Sequence, residues 1–333
     1  MRIPVLPPSF CAERRGFRYL LAFTVVILAA CSTPAASVIP SADKTPAAAT
    51  QSQLSTTDFP TTVTDDEGTS TTIEGRPERI VSLTPGSTEI LFAVGAGDRV
   101  VAATDADDYP PEAVPLPDVA SFGSVDVERI VSLEADMVIA GGNAYTPPEA
   151  VETMRSVGIP VVVVYAPSVA GVLADVELIG RAVGEREQAQ DLAAQMRTEI
   201  DALTAAVEDV PRPRVFYEID ATEAVFGPAD DSFLAEMVRL AGGEPITTGS
   251  ATSFEIQLED LVAADPEVIV LGDAAFGVTA EQVAARPAWD VMTAVQSGAV
   301  RAADDKVITR PGPRLSQGLR SLILAIHPDA RLP

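Results

Sequence analysis

The stretch Glu185-Arg-Glu-Gln-Ala-Gln-Asp-Leu-Ala-Ala-Gln-Met-Arg-Thr-Glu-Ile-Asp-Ala-Leu-Thr-Ala-Ala-Val207 decides the fold. Ala189, Leu192, Ala193, Met196, Ile200, Leu203 and Val207 recur in it at steps of three and four, with neither Gly nor Pro in the interval. That period puts them on one stripe of an amphipathic helix. Gly184 precedes the stretch and Pro211 and Pro213 follow it, so residues that stop helices mark both ends. A helix of about 23 residues is ~35 Å long, enough to span two lobes and limit their relative motion.

On either side of this helix, short β-rich apolar runs alternate with helical patterns. Residues 79–83, 100–103, 137–140 and 160–164 read as strands before it, and 214–219 and 268–271 after it. The order strand, helix, strand means an α/β fold with mostly parallel sheets. Roughly 260 residues carry this pattern, at the upper end for one core, so two lobes are expected. The halves also repeat. With Glu128 set against Glu259, an offset of 131 (259 − 128), Ile130 and Val131 meet Leu261 and Val262, Glu134 and Asp136 meet Asp265 and Glu267, and Met137 to Ile139 meet Val268 to Val270. The pentapeptide Arg-Ile-Val-Ser-Leu occurs at both 79–83 and 129–133. No third copy exists. The first runs into Thr84-Pro85-Gly86 as a strand into a loop, whereas the second follows Asp126 and Glu128, acidic residues suited to a helix's first turn, so the match is read as coincidence.

The N-terminus has the layout of a secretory signal. Arg14, Arg15 and Arg18 precede a twelve-residue apolar run, 19–30, too short to cross ~30 Å of hydrocarbon. Leu28-Ala-Ala-Cys31 looks like a bacterial lipobox, which implies removal of residues 1–30 and lipidation of Cys31. From Ser32 to about Thr72 the chain is Ser, Thr, Ala, Pro and Gln with almost no bulky apolar residue, a flexible tether. The expected organisation is therefore signal peptide 1–30, lipidated cysteine and tether 31–75, N-terminal lobe 76–184, linking helix 185–210 and C-terminal lobe 211–333.

Composition excludes several chemistries. The formal charge is −25; residues 1–31 carry four Arg and one Glu, +3, so the mature chain carries about −28, which argues against nucleic acid. The second cysteine, Cys11, is removed with the signal, and His327 is the only histidine. That combination rules out cysteine metal sites and multi-histidine zinc or copper sites, and argues against a serine–histidine hydrolase. Asp105, Asp107 and Asp108 are the one obvious carboxylate cluster, the candidate for an exported lipoprotein enzyme, although such runs also mark solvated turns. A structural surface lipoprotein is the other alternative.

Motifs along the chain then carry a resemblance. Arg79-Ile-Val-Ser-Leu-Thr-Pro-Gly-Ser-Thr-Glu-Ile90, Asp108-Tyr-Pro-Pro-Glu-Ala113, Val127-Glu-Arg-Ile-Val-Ser-Leu133 and Asp136-Met-Val-Ile139 resemble the substrate-binding proteins of ABC importers for ferric siderophores, haem and cobalamin. Ala241-Gly-Gly-Glu244, Arg286-Pro-Ala-Trp289 and Arg310-Pro-Gly-Pro-Arg314 continue it through the C-terminal half. The resemblance implies the class III periplasmic-binding-protein fold, two α/β lobes joined by one long helix with the ligand held between them. It implies no enzyme activity and no resident cofactor, since the metal arrives inside a chelate. The implied partners are an ABC permease with its ATPase, a small-molecule metal chelate, and the membrane through lipid at Cys31, for a monomer on the extracytoplasmic face.

The same resemblance implies the site. Glu128 and Glu259 match the glutamates that dock on the permease, although each also suits its helix dipole. Thr84 and Pro85 open a helix after a strand, a geometry that serves a ligand or a plain connection equally. Tyr109, Phe122, Tyr145 and Phe226 are expected to supply flat aromatic walls, and Arg310 a donor for carboxylate, amide or phosphate. Phe122 stands where cobalamin binders often have tryptophan, and Ser253-Phe254 replaces a second aromatic-rich stretch. The segment around Phe122 lacks the family's haem tyrosine, and only Arg310 and Arg314 suggest themselves as cations for a trianionic catecholate. A neutral ferric siderophore is therefore the expected ligand, with a corrinoid next.

Overall fold

The computed structural model describes residues 58–142 and 145–333, so the signal peptide, Cys31 and the tether as far as residue 57 lie outside the described residues. The chain enters through an antiparallel hairpin, β1 (Thr61–Thr64) and β2 (Ser70–Ile73). Val63 and Ile73 are buried, and the Asp65 carboxylate accepts from Arg155 at 3.0 Å and from the Val163 N–H at 3.2 Å. This corrects the tether boundary: residues 58–73 are not linker. Alternating β-branched residues with one apolar face make a half-buried strand, which polar composition disguises.

In the N-terminal lobe, β3 (Ile80–Ser82), β4 (Val100–Thr104), β5 (Asp118–Ser121), β6 (Ser124–Val125), β7 (Met137–Gly141) and β8 (Val161–Val164) form one sheet in the order β6-β5-β4-β3-β7-β8. All its pairings are parallel except β5 with β6. Helices α1 (Pro85–Ala93), α2 (Val127–Ser132) and α3 (Pro148–Ser156) connect the strands, and α4 (Val169–Val183) leads out of β8. Gly184 ends α4 in the left-handed conformation at φ 77°, and α5 (Arg186–Ala205) follows at once. The C-terminal lobe has β9 (Arg214–Glu218), β10 (Val225–Phe226), β11 (Glu244–Pro245), β12 (Glu255–Ile256), β13 (Val268–Leu271) and β14 (Val300–Ala302), with α6 (Phe233–Leu240), α7 (Leu258–Ala264), α8 (Ala280–Ala284), α9 (Thr293–Gln296), α10 (Asp305–Ile308) and α11 (Leu315–Ile326). Its all-parallel sheet runs β11-β9-β13-β14, and β10 with β12 makes a separate antiparallel pair.

The six strands read from sequence are present within two residues at each end. β5 and β14 are not visible as apolar runs, because Asp118-Val-Ala-Ser121 and Val300-Arg-Ala302 are short and partly exposed.

The long helix joins the lobes as its stripe requires. Ala189, Ala193, Met196, Ile200, Leu203 and Val207 are buried in one continuous apolar cluster, with Ile80, Ile90 and Met137 of the first lobe and Val215, Met237 and Leu319 of the second. Gly180 of α4 makes the helix crossing close: a Cβ there would lie 2.1 Å from the Ala189 Cβ. Glu185, at the N-cap of α5, accepts from Arg99 at 2.8 Å and Arg76 at 2.5 Å, which bolts the helix to the first lobe. Burial holds the Arg99 guanidinium below its ordinary value.

The internal repeat is physical. In the first lobe Asp136 accepts from the Arg79 N–H at 2.9 Å, the Arg79 side chain donates to the Leu133 carbonyl at 2.7 Å, and Glu134 has φ 52°. In the second, Glu267 accepts from the Arg214 N–H at 3.0 Å, Arg214 donates to the Ala264 carbonyl at 3.0 Å, and Asp265 has φ 46°. The pentapeptide is no repeat: at 79–83 it contains β3, and at 129–133 it lies in α2 and its C-cap, behind the N-cap of Asp126.

Candidate ligand cleft

In open parallel sheets the loops beyond the carboxyl ends of the strands form the binding crevice. On the first lobe those loops build an aromatic shelf. Thr84, the N-cap of α1, lays its methyl on Gly141, where a Cβ would come within 2.5 Å of Thr84 Cγ2 and 3.0 Å of Tyr145 Cβ. Gly142 lies under Tyr165 in the same way, with a Cβ only 3.1 Å from the ring. The Tyr145 N–H donates to the Gly142 carbonyl at 2.8 Å, and the Phe122 and Tyr145 rings meet edge to face with centroids 6.1 Å apart. The missing side chains at 141 and 142 let the Thr84 methyl and the Tyr165 ring lie directly on the backbone. Phe122 is 83% exposed, and Tyr145 and Tyr165 are half exposed. Exposed aromatic surface this continuous marks a binding face. Burial raises the Tyr145 phenol above its ordinary value, with Tyr165 and Asp305 of the other lobe adding to it.

Charged side chains cross from lobe to lobe beside the shelf. Glu89, buried in α1, accepts from Arg314 Nε at 2.8 Å and Nη2 at 2.5 Å and from Arg310 Nη1 at 3.5 Å. Arg314 also stacks its guanidinium 4.2 Å over the Tyr109 ring. Its guanidinium pKa is held above the ordinary value, chiefly by the Glu89 hydrogen bonds against the opposing effect of burial. Asp108 accepts from Arg310 Nη1 at 2.6 Å and from Lys306 Nζ, while Arg310 Nη2 donates to the Ala106 carbonyl at 3.2 Å. Burial pushes the Asp108 carboxyl up, but the hydrogen bonds from Lys306 and Arg310 outweigh it and hold the group below the usual carboxylate range. The first turn of α1 is covered, since a Cβ at Gly86 would lie 2.6 Å from the Pro311 carbonyl oxygen. Thr84 and Pro85 thus sit between the shelf and the segment 310–314.

The aspartate cluster does not act as one group. Asp105 is exposed; Asp107 is buried and braces the loop by accepting from the Thr104 N–H at 2.7 Å and Oγ1 at 2.6 Å; Asp108 bridges the lobes. Behind the cleft, Glu218 forms a two-pronged pair with Arg286 at 2.6 and 2.9 Å, and Arg286 stacks 4.6 Å from Trp289. Asp273 beside it is pushed up to about 7 by burial and then by Glu218.

Of the residues expected from sequence, Thr84, Pro85, Tyr109, Phe122, Tyr145 and Arg310 are brought to this region. Phe226 is half buried beyond β9, in its own two-stranded ladder opposite Glu255. Glu128 and Glu259 are exposed, each the second residue of its helix, α2 and α7. His327 is half buried, with Nε2 3.1 Å from the Gly242 carbonyl, a structural contact. Sequence reasoning missed Glu89, Tyr165 and Phe276, the last 89% exposed beyond β13. Tyr165 had a signal, since it follows the run Val161–Val164 directly; Glu89 had none, because a lone glutamate in a helix ordinarily faces water. Among the described residues no three His, Cys, Asp or Glu side chains converge as a metal site, and no helix is long and apolar enough to cross a membrane.

Residues 80–307 match the periplasmic binding protein family. Over 322 residues, 95% of this chain and 98% of the relative, the sequence is 30% identical to an uncharacterized ABC transporter substrate-binding lipoprotein, YvrC, of Bacillus subtilis (strain 168). It is 30% identical over 198 residues, 59% of this chain and 70% of the relative, to the vitamin B12-binding protein of Vibrio campbellii. The solved structure of the periplasmic heme-binding protein RhuT from Roseiflexus sp. RS-1 superposes with a TM-score of 0.68 at 28% identity, covering 76% of this chain and 99% of that one.

Proposed function

The chain belongs to the periplasmic binding protein family, and from that membership we propose that it is the substrate-binding component of an ABC importer. It captures a metal chelate between its lobes and hands it to a permease with its ATPase. It acts as a receptor: Asp107 and Asp108 are engaged in structural contacts, and no cofactor is required because the metal arrives coordinated. The observation that carries the reading is the shelf of Phe122, Tyr145 and Tyr165 beside lobe-crossing cations. Flat aromatic surface suits a large chelate, and few polar groups suffice to orient it.

Within that class a neutral ferric siderophore and a corrinoid both fit. The pairing of every cation named at the cleft favours a neutral chelate over an anionic one, with a neutral ferric siderophore first and, from relatives named for vitamin B12, a corrinoid next. Glu128 and Glu259 dock on the permease, one from each lobe, and lipid on Cys31 keeps the receptor at the membrane, where tethering raises its effective concentration. Quenching of Trp289 and tyrosine fluorescence by a ferric tris-hydroxamate, cyanocobalamin, haem and a ferric tris-catecholate tests the reading. Saturable quenching by at least one of the first two is expected; none by any of the four overturns it.

A further inference from the structure

Each cation placed at or behind the cleft is already matched. Arg286 is held by Glu218, Arg314 by Glu89, and Arg310 and Lys306 by Asp108. The matches are unequal. The Glu218 and Glu89 side chains are 0% and 1% exposed, whereas that of Asp108 is 41% exposed, so Asp108 is the one counter-ion that a ligand in solution meets. It uses both carboxylate oxygens, one on Arg310 and one on Lys306, and Lys306 is the only lysine among the described residues. Asp107 holds the loop that presents it. Arg310 is further engaged by the Ala106 carbonyl and by Glu89.

We propose that Asp108 is a specificity-determining residue that excludes anionic chelates from the cleft, by occupying the two exchangeable cations with a fixed negative charge of the protein's own. The inference rests on the proposed role as a chelate receptor. A trianionic chelate must either displace Asp108 from Arg310 and Lys306 or lie beside its charge, and both disfavour it against a neutral chelate of the same size. Discrimination by an opposed like charge is a recognised route to specificity. Removing the charge while keeping the shape, as in Asp108→Asn, frees Lys306 for the ligand and loosens Arg310, which keeps the Ala106 carbonyl and Glu89.

The test compares wild type with Asp108→Asn and Asp108→Ser, each first shown by thermal melting to be folded. Each binds a neutral ferric tris-hydroxamate and a ferric tris-catecholate at low and at physiological salt. The ratio of catecholate to hydroxamate affinity is expected to rise about tenfold or more in both variants, the effect of one like charge removed from a partly screened site. That gain should shrink with added salt, as a long-range charge effect must. A ratio within about twofold of wild type while the hydroxamate still binds, or a wild type that already prefers the catecholate, overturns the role of Asp108 and leaves the receptor reading standing. Failure of wild type to bind any of the tris-hydroxamate, tris-catecholate, cyanocobalamin and haem overturns the receptor reading itself, and the role of Asp108 with it.

Discussion

Replacing Glu89 with leucine should loosen the union of the two lobes more than any other single cleft substitution. Its side chain is 1% exposed and that of Arg314 is 17% exposed, and the two share a two-pronged pair at 2.8 and 2.5 Å. Removing one partner of a buried pair costs about 3–5 kcal/mol, since the other charge is left unmatched. Arg314 keeps the Tyr109 ring, a contact of about 1 kcal/mol, and some access to water, so the low end, about 3 kcal/mol, is expected. Arg310 keeps Asp108 and adds little. At about 2–4 °C per kcal/mol, the melting temperature should fall by about 6–12 °C. The diagnostic measurement is a double-mutant cycle with Arg314→Met, followed by circular dichroism in heat and in urea. An apolar pair of similar volume is often neutral, so Glu89→Leu with Arg314→Met together should recover most of the loss, a coupling of about 2–4 kcal/mol. Strict additivity of the two single losses would refute the reasoning, because it would mean that neither charge depends on the other.

Contacts elsewhere in the fold carry outcomes of their own. Gly180→Ala places a methyl 2.1 Å from the Ala189 Cβ, so α4 and α5 must part, and a loss of about 1–3 kcal/mol in urea unfolding is expected. Asp175 is buried in α4, and burial, then the Asp66 carboxylate, push its carboxyl up from 3.8 to about 8. Between those values the folded chain holds a proton that the unfolded chain has lost, so this group's stabilisation, full below about 4, is lost as pH rises to about 8. Asp175→Asn should therefore melt near wild type at pH 4 and progressively above it toward pH 8; a constant difference across that range argues against the shift. Charge reversal at both Glu128 and Glu259, exposed and clear of the cleft contacts, should abolish uptake in cells while leaving chelate affinity intact, and unchanged uptake would end the docking assignment. Phe122→Ala removes the most exposed ring of the shelf and should weaken binding of a large chelate by about 1–2 kcal/mol, measured by titration calorimetry.

What the sequence determined by itself is the architecture. Its signals are local: a three-and-four residue stripe makes α5, β-branched runs make β3, β7, β8, β9 and β13, and Gly184 supplies the left-handed turn that separates α4 from α5. The hairpin at 61–73 escaped because one buried Val and one buried Ile are too few to show above a background of threonine. Context still mattered at short range, since one pentapeptide holds strand β3 in its first copy and lies in helix α2 in its second, where Asp126 caps a helix that needs a start. Only the tertiary structure decided the cleft's electrostatics. Glu89 lies 225 residues from Arg314, and Asp108 lies 202 from Arg310, so no spacing rule could pair them. Whether a charged side chain faces water, a partner or a ligand depends on which surfaces the fold presses together. Here the linking helix packs two lobes into one core, and that packing turns arginines that look free in the sequence into ones already matched.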